Sequence, residues 1–160
     1  MKSVWEANAK LSSFPELSSD CKTQVLIIGG GITGILTACC LKEKGVDCIL
    51  VEKDRICGGV TKNTTAKITF QHGLIYRKLL DKKGKDAAQG YLFSNRLAFE
   101  KLCNLCSGID CDFQIKDNYI YSVYNRDVLE KEMSALEEIG YNPLLVSDLP
   151  LPFANVGAVC

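Results

Sequence analysis

The sequence predicts an α/β fold that opens on a β-α-β unit, and three observations carry that prediction. Val25-Leu26-Ile27-Ile28 is a short apolar, β-rich run that ends at glycines. Ile32, Ile35, Leu36, Cys39 and Cys40 then recur at helical spacing. Cys48-Ile49-Leu50-Val51 is a second apolar run, so two strands joined through a helix are expected to lie parallel.

Taken in order, residues 1–23 carry no regular period and include Pro15 and several serines. They are expected to form an arm laid over the remainder, with Trp5 and Phe14 as anchors, and residues 24–160 to form one domain. The uninterrupted apolar character of Val25 to Ile28 predicts a strand buried on both faces. The first helix ends on Lys42, Lys44 and Gly45, a basic last turn with a glycine stop. From Lys53 to Thr65 the residues are charged, glycine-containing and threonine-rich without a period, which predicts a long irregular loop of the kind that often carries function. Leu74 to Leu80 and Lys85 to Cys106 read as a helical insertion, the second with Ala88, Tyr91, Leu92, Phe99, Leu102 and Cys106 along one stripe. Cys111 to Ile115 alternates, Lys116-Asp117-Asn118 is a turn, and Tyr119 to Tyr124 is a second strand, which together predict a β-hairpin. Arg126 to Ile139 is amphipathic through Leu129, Met133 and Leu136 and is stopped by Gly140, and Leu144 to Val146 returns as a strand. The chain ends in an apolar run, Val156 to Val159, with no stop signal and no partner strand in view. It is expected to be cut short, with an unpaired edge that favours self-association.

Composition bounds the function. The chain has 160 residues, 47% hydrophobic and 24% charged, which places it among folded globular domains. Nineteen Lys and Arg balance nineteen Asp and Glu, so no global field would draw a polyanion and nucleic-acid binding is not expected. Nine cysteines, an odd number with two adjacent and no secretory signal before them, argue for a reducing, cytoplasmic location over a disulfide framework. Thr23 to Leu41 runs 19 residues without a charge, but Gly29, Gly30, Gly31 and Gly34 would each weaken a membrane helix, so no membrane span is expected.

Gly29-Gly30-Gly31-Ile32-Thr33-Gly34 fits G-x-G-x-x-G, and its context is complete: a strand before it, a helix opening on it, and a second strand ending in Glu52, 18 residues past Gly34. This is the pattern of a Rossmann-like FAD/NAD(P)-binding core. Gly29 permits the tight turn, Gly31 lets the backbone approach a pyrophosphate, and Gly34 lets the helix lie close on the sheet. The free N–H groups near Ile32 and Thr33 are expected to face the pyrophosphate with the positive end of the helix dipole behind them. Glu52 is placed to accept from the adenosine ribose hydroxyls, and its charge disfavours NADP; NAD and FAD share the fingerprint.

Arg55-Ile56-Cys57-Gly58-Gly59-Val60-Thr61 and Asn63-Thr64-Thr65-Ala66-Lys67, with the fingerprint so near the N-terminus, resemble the FAD-dependent oxidoreductases of the D-amino-acid oxidase and glycine oxidase superfamily. Ser3-Val4-Trp5-Glu6, Phe14-Pro15, Thr64 to Lys67 and Gln71-His72-Gly73 are similar to bacterial members that often carry a C-terminal Rieske iron–sulfur domain. The resemblance implies FAD bound extended, with the pyrophosphate at Gly29 to Gly34, the ribose at Glu52 and Lys53 beside it. It further implies that Val60, Thr61, Thr65, Ala66 and Lys67 line the route to the isoalloxazine, Lys67 opposing negative charge on the reduced ring. The implied activity is hydride transfer from an amine or amino acid to flavin. Family members are longer, with a substrate domain and a C-terminal segment that have no counterpart in residues 24–160, so these residues are expected to be a partial FAD-binding domain. No catalytic residue is assigned, and the chain alone is expected not to turn over. The alternative is a non-catalytic dinucleotide-binding module or an inactive truncated fragment.

Two other candidates are weaker. Cys103, Cys106 and Cys111 have no clear fourth ligand, and the first two share the apolar stripe, so they read as packing residues and no metal site is expected. His72, the sole histidine, reads first as a loop residue hydrogen-bonded ahead of a helix and second as a group near the flavin.

Overall fold

A computed structural model of the chain describes residues 3–147 and 149–160. It is a mixed α/β structure that divides between Lys67 and Ile68 into two compact units.

The first unit holds helix α1 (Val4–Asn8), strand β1 (Val25–Ile28), helix α2 (Ile32–Glu43), strand β2 (Cys48–Val51) and a 3₁₀ turn at Val60–Asn63. β1 and β2 are parallel and in register from Val25 opposite Cys48 to Ile28 opposite Val51. Gly45 takes φ +69° where α2 turns into β2, a conformation that glycine adopts at no steric cost. Three expectations are corrected here. The segment before β1 contains a helix, α1, closed by a capping box in which Ser3 Oγ accepts from Glu6 N (3.2 Å) and Glu6 Oε2 accepts from Ser3 N (3.3 Å). Trp5 is an anchor, but Phe14 is 68% exposed and is not. β1 is not buried on both faces: Ile27 is buried while Leu26 and Ile28 are exposed, and no residue of α2 is fully buried. A two-stranded sheet covered by one helix has too little apolar surface to bury more.

The second unit holds α3 (Ile75–Lys83), α4 (Lys85–Ser107), β3 (Ile120–Tyr121), α5 (Asp127–Glu138), β4 (Leu145–Val146) and β5 (Ala158–Val159). Tyr76, Leu80, Ala88, Leu92, Leu129, Leu136, Ile139 and Val159 form its core. The helical insertion and the Leu129, Met133 and Leu136 stripe are as expected, and α5 stops at Gly140 (φ +88°) with Tyr141 N donating to Leu136 O at 2.9 Å. The predicted hairpin is overturned. Residues 111–119 contain no strand, Asp112 sits at φ +54°, and Ile115 is exposed. β3 pairs antiparallel with β5, Ile120 opposite Val159, and β4 pairs with the other edge of β5, Leu145 opposite Val159. The terminal apolar run therefore has two partners, and β5 is the fully buried central strand of its sheet. Alternation in Cys111 to Ile115 lacked a neighbouring backbone to pair with, and the real partner of Tyr121 is Ala158, 37 positions further on.

Glu132, on α5, is buried with no exposed surface. Its carboxylate accepts from Tyr76 N (2.8 Å) and Arg77 N (2.9 Å), the first-turn amides of α3, whose N-cap Leu74 has no capping side chain. One helix thus caps another. Among the described residues no helix is long and apolar enough to cross a membrane.

Candidate functional site

The turn between β1 and α2 is built from the glycines. Gly29 adopts φ +110°, which an L side chain would resist, and its N–H donates to Val51 O at 2.8 Å, tying the turn to the end of β2. A Cβ at Gly34 would fall inside 3.0 Å of Gly29 O and lie 3.3 Å from Ile27 Cγ2, so the absence of a side chain there sets how closely α2 approaches β1. Gly31 is the N-cap of α2 with no side-chain cap, and a Cβ on it would meet only Thr61 Oγ1, at 3.4 Å.

Glu52 lies beside this turn. Its Oε2 accepts from Gly30 N at 2.8 Å and its Oε1 from Asp54 N at 3.1 Å. These bonds hold the carboxyl below its ordinary value, Gly30 contributing most and Asp54 next; the lost hydration opposes them, and the Lys53 N–H and charge add to them. Two acceptor directions remain on a carboxylate so engaged. Gly30 itself is a residue that sequence reasoning passed over as a variable position. A Cβ there would lie 2.9 Å from Ile56 Cγ2 and 3.1 Å from Glu52 Cβ, and Gly30 O accepts from Cys57 N at 2.8 Å. The glycine lets the 52–57 segment lie against the turn; its signal was three consecutive glycines where the pattern requires two.

A cleft of about 1810 Å³ runs along these elements, within the first unit. Gly29, Gly31, Ile32, Thr33, Gly34, Glu52, Lys53, Val60, Thr61 and Ala66 all line it; Thr65 and Lys67 are exposed and are not on its wall. Its volume exceeds the roughly 300–1000 Å³ common for compact small-molecule pockets. One expectation changes in detail: the Ile32 N–H is not free but donates to Thr61 Oγ1 at 3.1 Å. That bond brings the 3₁₀ turn onto the start of α2. On its far side Trp5 Nε1 donates to Thr64 O at 2.8 Å, and Ala66 N donates to Thr64 Oγ1 at 3.2 Å with Ala66 at φ +56°.

The donor set fits an extended dinucleotide. The start of α2 offers backbone N–H groups and the positive end of a helix dipole to a pyrophosphate, Gly31 leaves the close approach open, and Glu52 offers a negative acceptor at the end of the neighbouring strand. In the second unit His72, in the loop ahead of α3, has its Nδ1 3.0 Å from Tyr91 OH on α4, so its hydrogen bond is to a neighbouring helix and not local to the loop. Cys103 and Cys106 are half-buried on α4 and Cys111 Sγ approaches Cys106 O at 3.9 Å.

Comparison with known proteins agrees with this geometry. The family model for FAD-dependent oxidoreductases, DAO, matches residues 24–149. The "Putative Rieske 2Fe-2S iron-sulfur protein YhfW" of Bacillus subtilis (strain 168) is 35% identical over 159 residues, covering 96% of this chain and 31% of that protein. A 31-residue stretch, 19% of this chain, is 55% identical to 6% of the tetracenomycin B2 monooxygenase-dioxygenase of Streptomyces olivaceus. No solved structure matches. The chain spans about a third of the length of the first of these relatives.

Proposed function

Because this chain belongs to the FAD-dependent oxidoreductase family, we propose that its first unit holds the ADP half of FAD and that the whole protein oxidises an amine or amino acid. The family is FAD-dependent. The observation that carries the site assignment is the Gly30 N–H···Oε2 Glu52 bond of 2.8 Å, which fixes an acceptor for ribose hydroxyls next to a glycine turn that admits phosphate. In this reading Glu52 accepts from the ribose through the lone pairs that Gly30 and Asp54 leave, and Lys53 flanks the sugar. The amides at the start of α2 orient the pyrophosphate across Gly31. Thr61, whose hydroxyl accepts from Ile32 N, keeps its own proton to donate to a phosphate oxygen. Val60 and Ala66 continue the wall toward the flavin end. Bound FAD supplies the acceptor for the hydride of a substrate C–H bond, chemistry that no side chain provides.

Titration of the full chain with FAD, followed by flavin fluorescence, tests the assignment. Saturable binding that Gly31→Val weakens supports it, whereas an absence of FAD binding, or equal binding by both proteins, refutes it. For the substrate class, anaerobic mixing of the protein with amines and amino acids should bleach the flavin absorbance in the complete oxidoreductase; failure with every member of both classes rejects that class.

A further inference from the structure

The sequence places Ser3 to Glu6 more than twenty residues ahead of the phosphate-binding turn, in a segment with no role in the fingerprint, yet three contacts bring α1 to the cleft wall. Trp5 Nε1 donates to Thr64 O at 2.8 Å across 59 positions. Lys62 Nζ and Glu6 Oε1 form an ion pair at 2.8 Å with both side chains only about a third exposed, 33% and 37%. Glu6 also closes the capping box of α1 through Oε2, so a single carboxylate stabilises the helix and pins it to the 3₁₀ turn. That turn carries Thr61, whose Oγ1 accepts from Ile32 N at the start of α2. Contacts therefore run from Trp5 and Glu6 through residues 61–64 to the first amide of α2, beside the phosphate site.

We propose that α1 is a strap that positions the 60–66 segment against the phosphate-binding turn, and that Trp5 and Glu6 are positioning residues of the dinucleotide site. The inference rests on the FAD assignment above. Trp5 and Glu6 line the same cleft as Gly29 to Gly34. No residue of α1 is buried, so the strap contributes little to the fold and its contacts serve the wall they hold. Releasing it lowers the fraction of molecules with the wall in place, and the apparent affinity falls by that fraction. Loss of one hydrogen bond corresponds to about a three- to tenfold weakening.

Trp5 is the sole tryptophan, which supplies a spectroscopic signature. FAD added to the full chain is expected to quench the Trp5 emission with the same saturation curve as the flavin's own fluorescence change. Trp5→Phe, which keeps an aromatic ring but has no donor, and Glu6→Gln, which loses the ion pair, are each expected to bind FAD three- to tenfold more weakly with unchanged far-ultraviolet circular dichroism. Amides in residues 60–66 are expected to exchange hydrogen faster in both variants without FAD. Parental FAD affinity in both variants, or an emission that FAD leaves unchanged while the flavin signal saturates, overturns the inference and leaves the FAD assignment standing. If the parent binds no FAD, the assignment fails, and with it the positioning role.

Discussion

Gly34→Ala should destabilise the first unit even though alanine is the better helix former. The added Cβ would fall inside 3.0 Å of Gly29 O, 3.2 Å from Gly29 C and 3.3 Å from Ile27 Cγ2, all on or beside β1 and none a flexible side-chain end. To relieve this, α2 must retreat from β1 by roughly 1 Å, and a gap of that size forfeits about a quarter to a half of the dispersion attraction across the contact. Overpacking against backbone belongs at the upper end of the usual range, about 3 kcal/mol. Replacing a glycine in the first turn of α2 returns at most about 1 kcal/mol, leaving a net loss of about 2 kcal/mol. For a unit of 67 residues that is a fall in Tm of roughly 8–16 °C. Thermal unfolding followed by the emission of Trp5, which lies in that unit, measures it. The control is Gly90→Ala in α4, where a Cβ meets nothing within 4 Å and the same exchange should stabilise by up to about 1 kcal/mol. If Gly34→Ala is as stable as the parent, the close approach of α2 to β1 does not depend on glycine.

Gly31→Val should keep the fold, because a Cβ there meets only Thr61 Oγ1 at 3.4 Å, while FAD affinity drops tenfold or more; a flavin titration checks both. The N–H bonds from Gly30 and Asp54 hold the Glu52 carboxyl below its ordinary 4.5, so its contribution to stability is present above pH 4.5 and is lost as pH falls through the folded value; the difference in urea midpoint between parent and Glu52→Gln should therefore shrink as pH is lowered from 7 to below 4.5. Glu132→Ala leaves the buried N–H of Tyr76 and the half-buried N–H of Arg77 without an acceptor and should cost about 2–4 kcal/mol, read as a shift in the guanidinium midpoint by circular dichroism. Burial raises the Glu132 carboxyl above 4.5 against the pull of the Arg77, Tyr76 and Ile75 amides, so that share of stability is complete below 4.5 and is lost as pH rises through the folded value; Glu132→Gln should flatten this dependence.

The first unit was largely legible because its signals are local. Four apolar residues, a glycine turn, a helical period and a second apolar run specify β1, α2 and β2 within 27 positions, and Glu52, the next residue, bonds to Gly30 in that turn. What escaped was set by contacts distant in sequence. α1 is only five residues long, too short to show a period, and its capping box becomes visible only once Ser3 and Glu6 are read together. The hairpin failed because alternation identifies a candidate strand but not its partner, and the partner of Ile120 is Val159. Glu132 resembled a solvent residue of an amphipathic helix. It shares a face with Leu129 and Leu136 at spacings of three and four, which was the available sign that it points inward.

The position of β5 also orders events during synthesis. The β1–β2 pairing and the Gly30–Glu52 bond involve nothing beyond residue 52, whereas the sheet of the second unit has no centre until Ala158 and Val159 exist. At about 5–20 residues per second the ribosome needs roughly 5–20 s to add residues 68–160. Throughout that interval the edges of β3 and β4 and the apolar core around Leu129 and Leu136 wait for their last strand. The nascent second unit is therefore the stage at which a chaperone, or a stalled ribosome, would have most effect on yield.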